Sequence, residues 1–146
     1  MIKKTTCELL NIMKNSTDYN EYLKNNESEL VPDGNKIARE LASILHKKNL
    51  KRADVVKRSN LNESFVYQIF NGKKIPTRDK MIAICFGLSL SLEEAQRLLT
   101  VTGSGTLYLR NQRDNVIAYA LEKKLNIIEV QTMLQDAALP LLVETD

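Results

Sequence analysis

Tryptophan is missing from this 146-residue chain, histidine occurs once, and there are only two cysteines, three prolines and five glycines. Cys7 and Cys85 are too few and too far apart to form a disulfide framework or a zinc site, and His46 is the only histidine that could join them. Both cysteines are therefore expected to be packing residues, and His46 a surface or boundary residue. So little Gly and Pro beside 43% apolar residues excludes a collagen-like repeat or a disordered chain. The length fits one domain with an appended subdomain. No apolar run reaches the roughly 18 residues of a membrane span, and the Lys3-Lys4 start leads into a polar segment rather than a signal-peptide core. A cytoplasmic protein with no membrane partner is the expectation. Strand signals are scarce as well, because no long stretch alternates β-branched or aromatic residues with polar ones.

Charge is where composition begins to inform. The net charge of +3 divides unevenly, with −2 over residues 1–34, +8 over 35–86 and −3 over 87–146. One third of the chain holds the whole positive excess, which suits a polyanion better than a small neutral ligand.

Helical spacing is plain. Ile37, Leu41, Ile44 and Leu45 form an apolar stripe ending near Lys47-Lys48-Asn49, where cations complement terminal carbonyls. A short helix is expected over about 52–59, then Asn60, which tolerates the left-handed region, then a cap at Asn62 and a helix over 63–70 with Val66, Ile69 and Phe70 inward. Asn71-Gly72 ends it. Thr77 caps a fourth helix over 78–87, and Ser91 with Glu94 forms a capping box for a fifth. Upstream, Leu9, Leu10, Ile12 and Met13 suggest a short helix, Ser16 to Leu23 a second capped by Ser16, and Pro32-Asp33-Gly34 a turn or hinge.

The fourth and fifth helices recur 35 residues later. Arg78, Asp79, Ile82, Ala83, Leu90, Glu94, Gln96 and Leu99 meet identical residues at Arg113, Asp114, Ile117, Ala118, Leu125, Glu129, Gln131 and Leu134. The segment 103–146 is thus read as a helical hairpin that repeats the 78–99 unit. A two-helix hairpin cannot cover its own apolar face, so the copies either enlarge one core or offer a surface to a partner, and a homodimer through the C-terminal hairpins is one such use. Tyr108, Arg110, Asn111, Arg113 and Asp114 are read as a helix cap with a surface ion pair rather than a ligand pocket.

A short helix, a tight turn and a second helix, flanked by supporting helices, is the helix-turn-helix arrangement, whose second helix enters the major groove. Val55, Val56, Leu61, Val66 and Ile69 supply its apolar set, and Glu63, Ser64, Tyr67 and Gln68 point outward. Ser64, Tyr67 and Gln68 are the residues expected to read bases, with Lys73, Lys74 and the start of the second helix on phosphates. Phe65, Tyr67 and Phe70 could stack on single strands, but helical phase exposes only Tyr67, and core packing is the better reading for Phe70.

On these residues, positions 36–101 resemble the phage-repressor (Xre) type of helix-turn-helix domain. The stretch Leu61-Asn62-Glu63-Ser64-Phe65-Val66-Tyr67-Gln68-Ile69-Phe70-Asn71-Gly72-Lys73-Lys74-Ile75-Pro76-Thr77-Arg78 is similar to that family's most specific segment. The resemblance implies an all-α fold, here a five-helix repressor-like bundle over 35–102 extended by the duplicated hairpin, with 1–34 an N-terminal helical extension. It also implies double-stranded DNA as partner, with base-facing positions at Glu63, Ser64, Tyr67 and Gln68, and phosphate-contacting ones at Arg52, Asn71, Lys73, Lys74 and Thr77. Asn60 stands where the turn Gly is usual, and Val56 where a small residue is. Glu63 repels phosphate, yet could accept from cytosine N4 or be satisfied by the helix N-terminus.

The expected function is a sequence-specific DNA-binding transcriptional regulator. The alternative is a protein-interaction adaptor that keeps the bundle without binding DNA, which the Glu63 tip and acidic flanks favour. With no nucleophile–base pair, metal ligand set or phosphate-cradling Gly-rich loop, neither catalysis nor a cofactor nor a metal is expected.

Overall fold

Apolar spacing and capping side chains set the element boundaries in the structure, a computed structural model that describes residues 4–26 and 34–144. Among the described residues there are nine α-helices and no strand, the all-α class expected from the sequence. None of these helices is long and apolar enough to cross a membrane. The chain divides into two compact units, residues 1–32 and 33–146.

The first unit holds α1 (Thr6–Asn15) and α2 (Tyr19–Asn26). Thr5 caps α1, its hydroxyl accepting the Glu8 N–H at 3.1 Å. Ser16 closes α1 instead of opening α2 as its residue type suggested: its hydroxyl donates back to the Ile12 carbonyl at 2.7 Å. Asp18 serves the start of α2, accepting the Asn20 N–H on its carboxylate and the Tyr22 N–H on its carbonyl. Helix α1 buries no residue and Cys7 is exposed, so the packing role expected of that cysteine does not hold. A two-helix unit this small has too little apolar surface to cover both faces.

The second unit contains α3 (Gly34–Lys48), α4 (Arg52–Ser59), α5 (Glu63–Phe70), α6 (Arg78–Gly87), α7 (Leu92–Val101), α8 (Gln112–Glu122) and α9 (Ile127–Asp136). Gly34, read as part of a turn, is already helical; Pro32 and Asp33 lie outside the described residues. Helix α6 organises the unit. Every residue from Met81 to Leu88 is buried, as required of a helix that is apolar around its whole circumference. It packs against α4 on one side and against α7 and α9 on the other. Cys85 lies on this helix, and burial pushes its thiol pKa up to about 12, which makes it an inert packing residue.

The duplicated unit is visible at atomic detail. Helices α6 and α7 with the segment 103–110 form one copy, and α8 and α9 with 138–144 the other. In each, a glutamine side chain clamps the segment that follows the second helix. Gln96 donates to the Leu107 carbonyl at 3.0 Å and accepts the Leu107 N–H at 2.7 Å. Gln131 donates to Val143 and accepts from Leu142, at 2.6 and 2.7 Å. The paired arginines act alike: Arg78 donates to the Gly105 and Thr106 carbonyls, and Arg113 to Pro140 and Leu141. Each then crosses to the other copy. Arg78 grips Asp114 at 2.8 Å and Arg113 grips Asp79 at 2.9 Å, while α6 meets α9 and α7 meets α8. Such reciprocal contacts are those of an internal pseudo-two-fold axis. The two apolar faces are therefore spent on one another, and Ile117, Leu121, Val130 and Leu134 join the same core as α6.

The Arg78–Asp114 pair is not the surface ion pair anticipated for Asp114. Its carboxylate side chain is only 10% exposed, against 41% for Asp79. Burial acts to raise the pKa of Asp114, but the Arg78 hydrogen bonds, the Tyr108 N–H and the charges of Arg78 and Arg113 outweigh it and hold the pKa below the usual carboxylate value. Asp114→Ala is expected to cost about 2–3 kcal/mol in chemical denaturation, and Asp79→Ala under about 1 kcal/mol. Because the folded-state pKa is lowered, the Asp114 contribution is complete above the ordinary value of 3.8 and fades below it. The gap between Asp114→Ala and the native chain should narrow as pH falls past that point. Copy comparison yields a second expectation. Ala138 adopts φ 58° where the first copy has Gly103, so Ala138→Gly should raise stability by about 1 kcal/mol in the same assay.

Candidate nucleic-acid interface

The geometry of α4 and α5 follows from a few residues at their joint. Asn60 takes φ 60° and ψ 23°, the left-handed conformation for which Asn substitutes well. Buried Ser59 accepts the Leu61 N–H at 3.3 Å, and Leu61 turns into the core. Asn62 then caps α5, accepting the Phe65 N–H at 3.1 Å. The cap is therefore Asn62, and Glu63 is left exposed in the first turn. There its charge complements the helix dipole without a side-chain partner.

Val66, Ile69 and Phe70 are buried, which fixes the opposite face of α5 toward solvent. Glu63 and Ser64 on that face are exposed, while Tyr67 and Gln68 are half-buried. Tyr67 is less open than its helical phase suggested because Arg52, the first residue of α4, reaches over it. The guanidinium lies 6.0 Å from the Tyr67 ring centre and 5.8 Å from that of Phe70, and it donates to the Asn71 side chain at 2.9 Å. That bond uses the amide oxygen of Asn71 and leaves its NH₂ for an external acceptor. Most of the Arg52 donors remain available too.

After α5 the chain turns through Gly72, at φ +80°, and the Gln68 carbonyl accepts N–H groups from both Lys73 and Lys74, at 2.9 and 3.3 Å. The side chains of these two lysines are exposed. The start of α3 backs the turn so closely that a Cβ on Gly34 would lie 2.4 Å from the Gly72 oxygen. Thr77 caps α6, accepting the Lys80 N–H at 3.4 Å.

Lys80 is the cation that the sequence reading passed over. Its ammonium sits 4.3 Å from the Phe65 ring centre, and Lys74 approaches the same ring at 5.8 Å. The sequence signal was present in the basic segment 35–86, but membership of this site depends on which face of α6 meets α5. Arg52, Lys73, Lys74 and Lys80 thus gather around α5, and among the described residues none of them is in an ion pair. Lys57 and Arg58, at the far end of α4, border a different groove. The segment 141–144 lines a cavity of about 690 Å³ beside the start of α5 and leaves Glu63 and Ser64 uncovered. Among the described residues no three His, Cys, Asp or Glu side chains are grouped to hold a metal.

Four cations without a carboxylate partner among the described residues stand around an exposed helical edge behind a left-handed turn, an arrangement that can meet a polyanion. Residues 40–97 match the family model of the Cro/C1-type HTH DNA-binding domain. The chain carries a Cro/C1-type helix-turn-helix domain. No curated protein and no solved structure matches it. The matched span of the Cro/C1-type domain begins inside α3, encloses α4 and α5, and ends inside α7. The second hairpin, α8 and α9, lies beyond it.

In this Cro/C1-type domain the angle of α4 depends on a close approach to α6. A Cβ on Gly87 would lie 3.0 Å from the Val55 carbonyl oxygen and 3.1 Å from the Ser59 Cβ. Backbone cannot yield as a flexible side chain can, so Gly87→Ala should cost about 1–3 kcal/mol in thermal or chemical unfolding. Ala53→Ser, on the exposed face of α4, should stay within about 0.5 kcal/mol.

Proposed function

We propose that the protein is a sequence-specific transcriptional regulator that binds double-stranded DNA with α5 in the major groove. The observation that carries this reading is the set of unpaired cations, Arg52, Lys73, Lys74 and Lys80, around the exposed edge of α5 in a Cro/C1-type domain. Glu63, Ser64, Tyr67 and Gln68 face the bases. Arg52, Asn71, Lys73, Lys74 and the α6 start at Thr77 hold the phosphates on either side. Lys80 joins that second group, and its contact with Phe65 holds the ammonium near the helix axis. Tyr67 reaches the groove beneath Arg52, so the guanidinium both orients the ring and contacts phosphate.

A homodimer through the C-terminal hairpins completes the proposal. The inner faces of the hairpins are used within the chain, so a second copy would cover outer residues such as Leu109 and Tyr119, which are 52% exposed each. Such a dimer favours an inverted repeat with half-sites about one duplex turn apart. One observation favours the adaptor reading instead: exposed Glu63 at the tip of α5 opposes phosphate. On DNA, the Glu63 carboxylate would be satisfied by a cytosine N4 donor at that position.

Binding to random-sequence duplex between about 50 and 200 mM salt tests the proposal. Affinity should fall steeply with salt, and Lys73→Glu combined with Lys74→Glu should weaken it and lower the salt slope by about two. No binding at low salt, or no effect of the double variant, would leave the adaptor reading standing. Tyr67→Ala should change which sequences are selected from a random pool more than it changes the salt slope.

A further inference from the structure

The cations that do not surround α5 include a second group with a different setting. Lys57 and Arg58, in the last turn of α4, and Lys124, in the α8–α9 turn, border a cavity of about 520 Å³. Phe86, Leu90, Leu121 and Ile127 back it from within the core, and its open apolar surface is Leu125, half-buried, and Ile128, 69% exposed. Among the described residues none of the three cations is in an ion pair with a carboxylate. Arg58 and Lys124 are both tethered to Ser89 in the α6–α7 turn, the first to its hydroxyl at 3.4 Å and the second to its carbonyl at 3.2 Å. The one acid at the cavity, Asp54, already accepts the Lys51 N–H at 2.9 Å.

Three positive charges over an apolar floor make a site of mixed character. Helix ends account for part of this, since α4, α6 and α8 all terminate here and cations suit their carbonyls. They do not account for the hydrophobic cavity or for exposed Ile128. The volume falls within the roughly 300–1,000 Å³ of small-molecule sites, which combine an apolar lining with a few polar anchors. A neutral apolar ligand would leave the cations unused, and a compact inorganic anion would leave the floor wet.

We propose that this cavity binds a small amphipathic organic acid, with its hydrocarbon body against Leu125 and Ile128 and its carboxylate among Lys57, Arg58 and Lys124. The site draws one wall from α4 and another from the second hairpin, so it exists only because the duplicate is present. It lies at the opposite end of α4 from Arg52, and binding there is independent of whether α5 reads DNA.

Isothermal titration of the full chain with decanoate, below about 1 mM to stay clear of detergent behaviour, tests the proposal directly. Saturable one-to-one binding is expected, with no saturable heat from butyrate, which lacks the body, or from decyltrimethylammonium, which reverses the charge. Lys57→Glu and Arg58→Glu together, or Lys124→Glu alone, should weaken decanoate at least about tenfold. These side chains are exposed, so helicity by circular dichroism should be unchanged. Ile128→Asp should weaken binding as well, by repelling the ligand at the rim. Absence of saturable binding, equal binding of decyltrimethylammonium, or undiminished binding to the charge-reversed chains would overturn the proposal.

Discussion

The burial of α6 on all sides is the constraint from which the rest of the second unit follows. Met81 to Leu88 have no solvent face, so something must cover each side of the helix. Helix α4 covers one, at a distance that only Gly87 permits, and the second hairpin covers the other. The same helix therefore sets the angle of the helix-turn-helix pair and anchors the segment that the Cro/C1-type match does not reach. Its cap, Thr77, stands beside the basic loop and its first turn supplies Lys80. Core and candidate interface are thus two aspects of one helix.

The two hairpins cover one another with matching polar contacts in unequal surroundings. The polar clamp is kept in both copies: Gln96 and Gln131 hold the trailing segments, Arg78 and Arg113 reach across, and the hairpin turns close alike through left-handed Ser89 and Lys124. What changed is the outer face of the first helix of each copy. Ile84, buried under α4, corresponds to Tyr119, which is 52% exposed because α8 has no α4 to meet. Asp114 is sequestered and Asp79 half-open, so the two ends of this pseudo-symmetric pair lie in unequal surroundings. Symmetric chemistry in an asymmetric environment gives unequal energies.

Much of this was legible in the chain because it depends on local rules. The limits of α4 and α5, the left-handed Asn60, and the caps at Asn62, Thr77 and Ser91 all come from residues within a few positions of one another. The repeat was legible because identity at a fixed offset needs no coordinates. Ser16 was misassigned for an equally local reason: a hydroxyl between two helices can serve either, and its bond to Ile12 decided for the first. Cys7 failed where burial had to be guessed, because a short helix in a small unit leaves most side chains outside.

What the amino-acid order determined by itself was the helices, their caps, the duplication and the concentration of positive charge in one third of the molecule, since each depends on neighbours along the chain. Only the tertiary structure decided which cations meet. Arg52 joins Asn71 and Tyr67, Lys80 joins Phe65, Arg78 crosses to Asp114, and Lys57 and Arg58 turn away toward Lys124. Helical phase says which face a side chain occupies, but its neighbour across a gap is set by how closely helices approach. Here that approach depends on the absence of a single Cβ at Gly87 and the packing of one copy against the other.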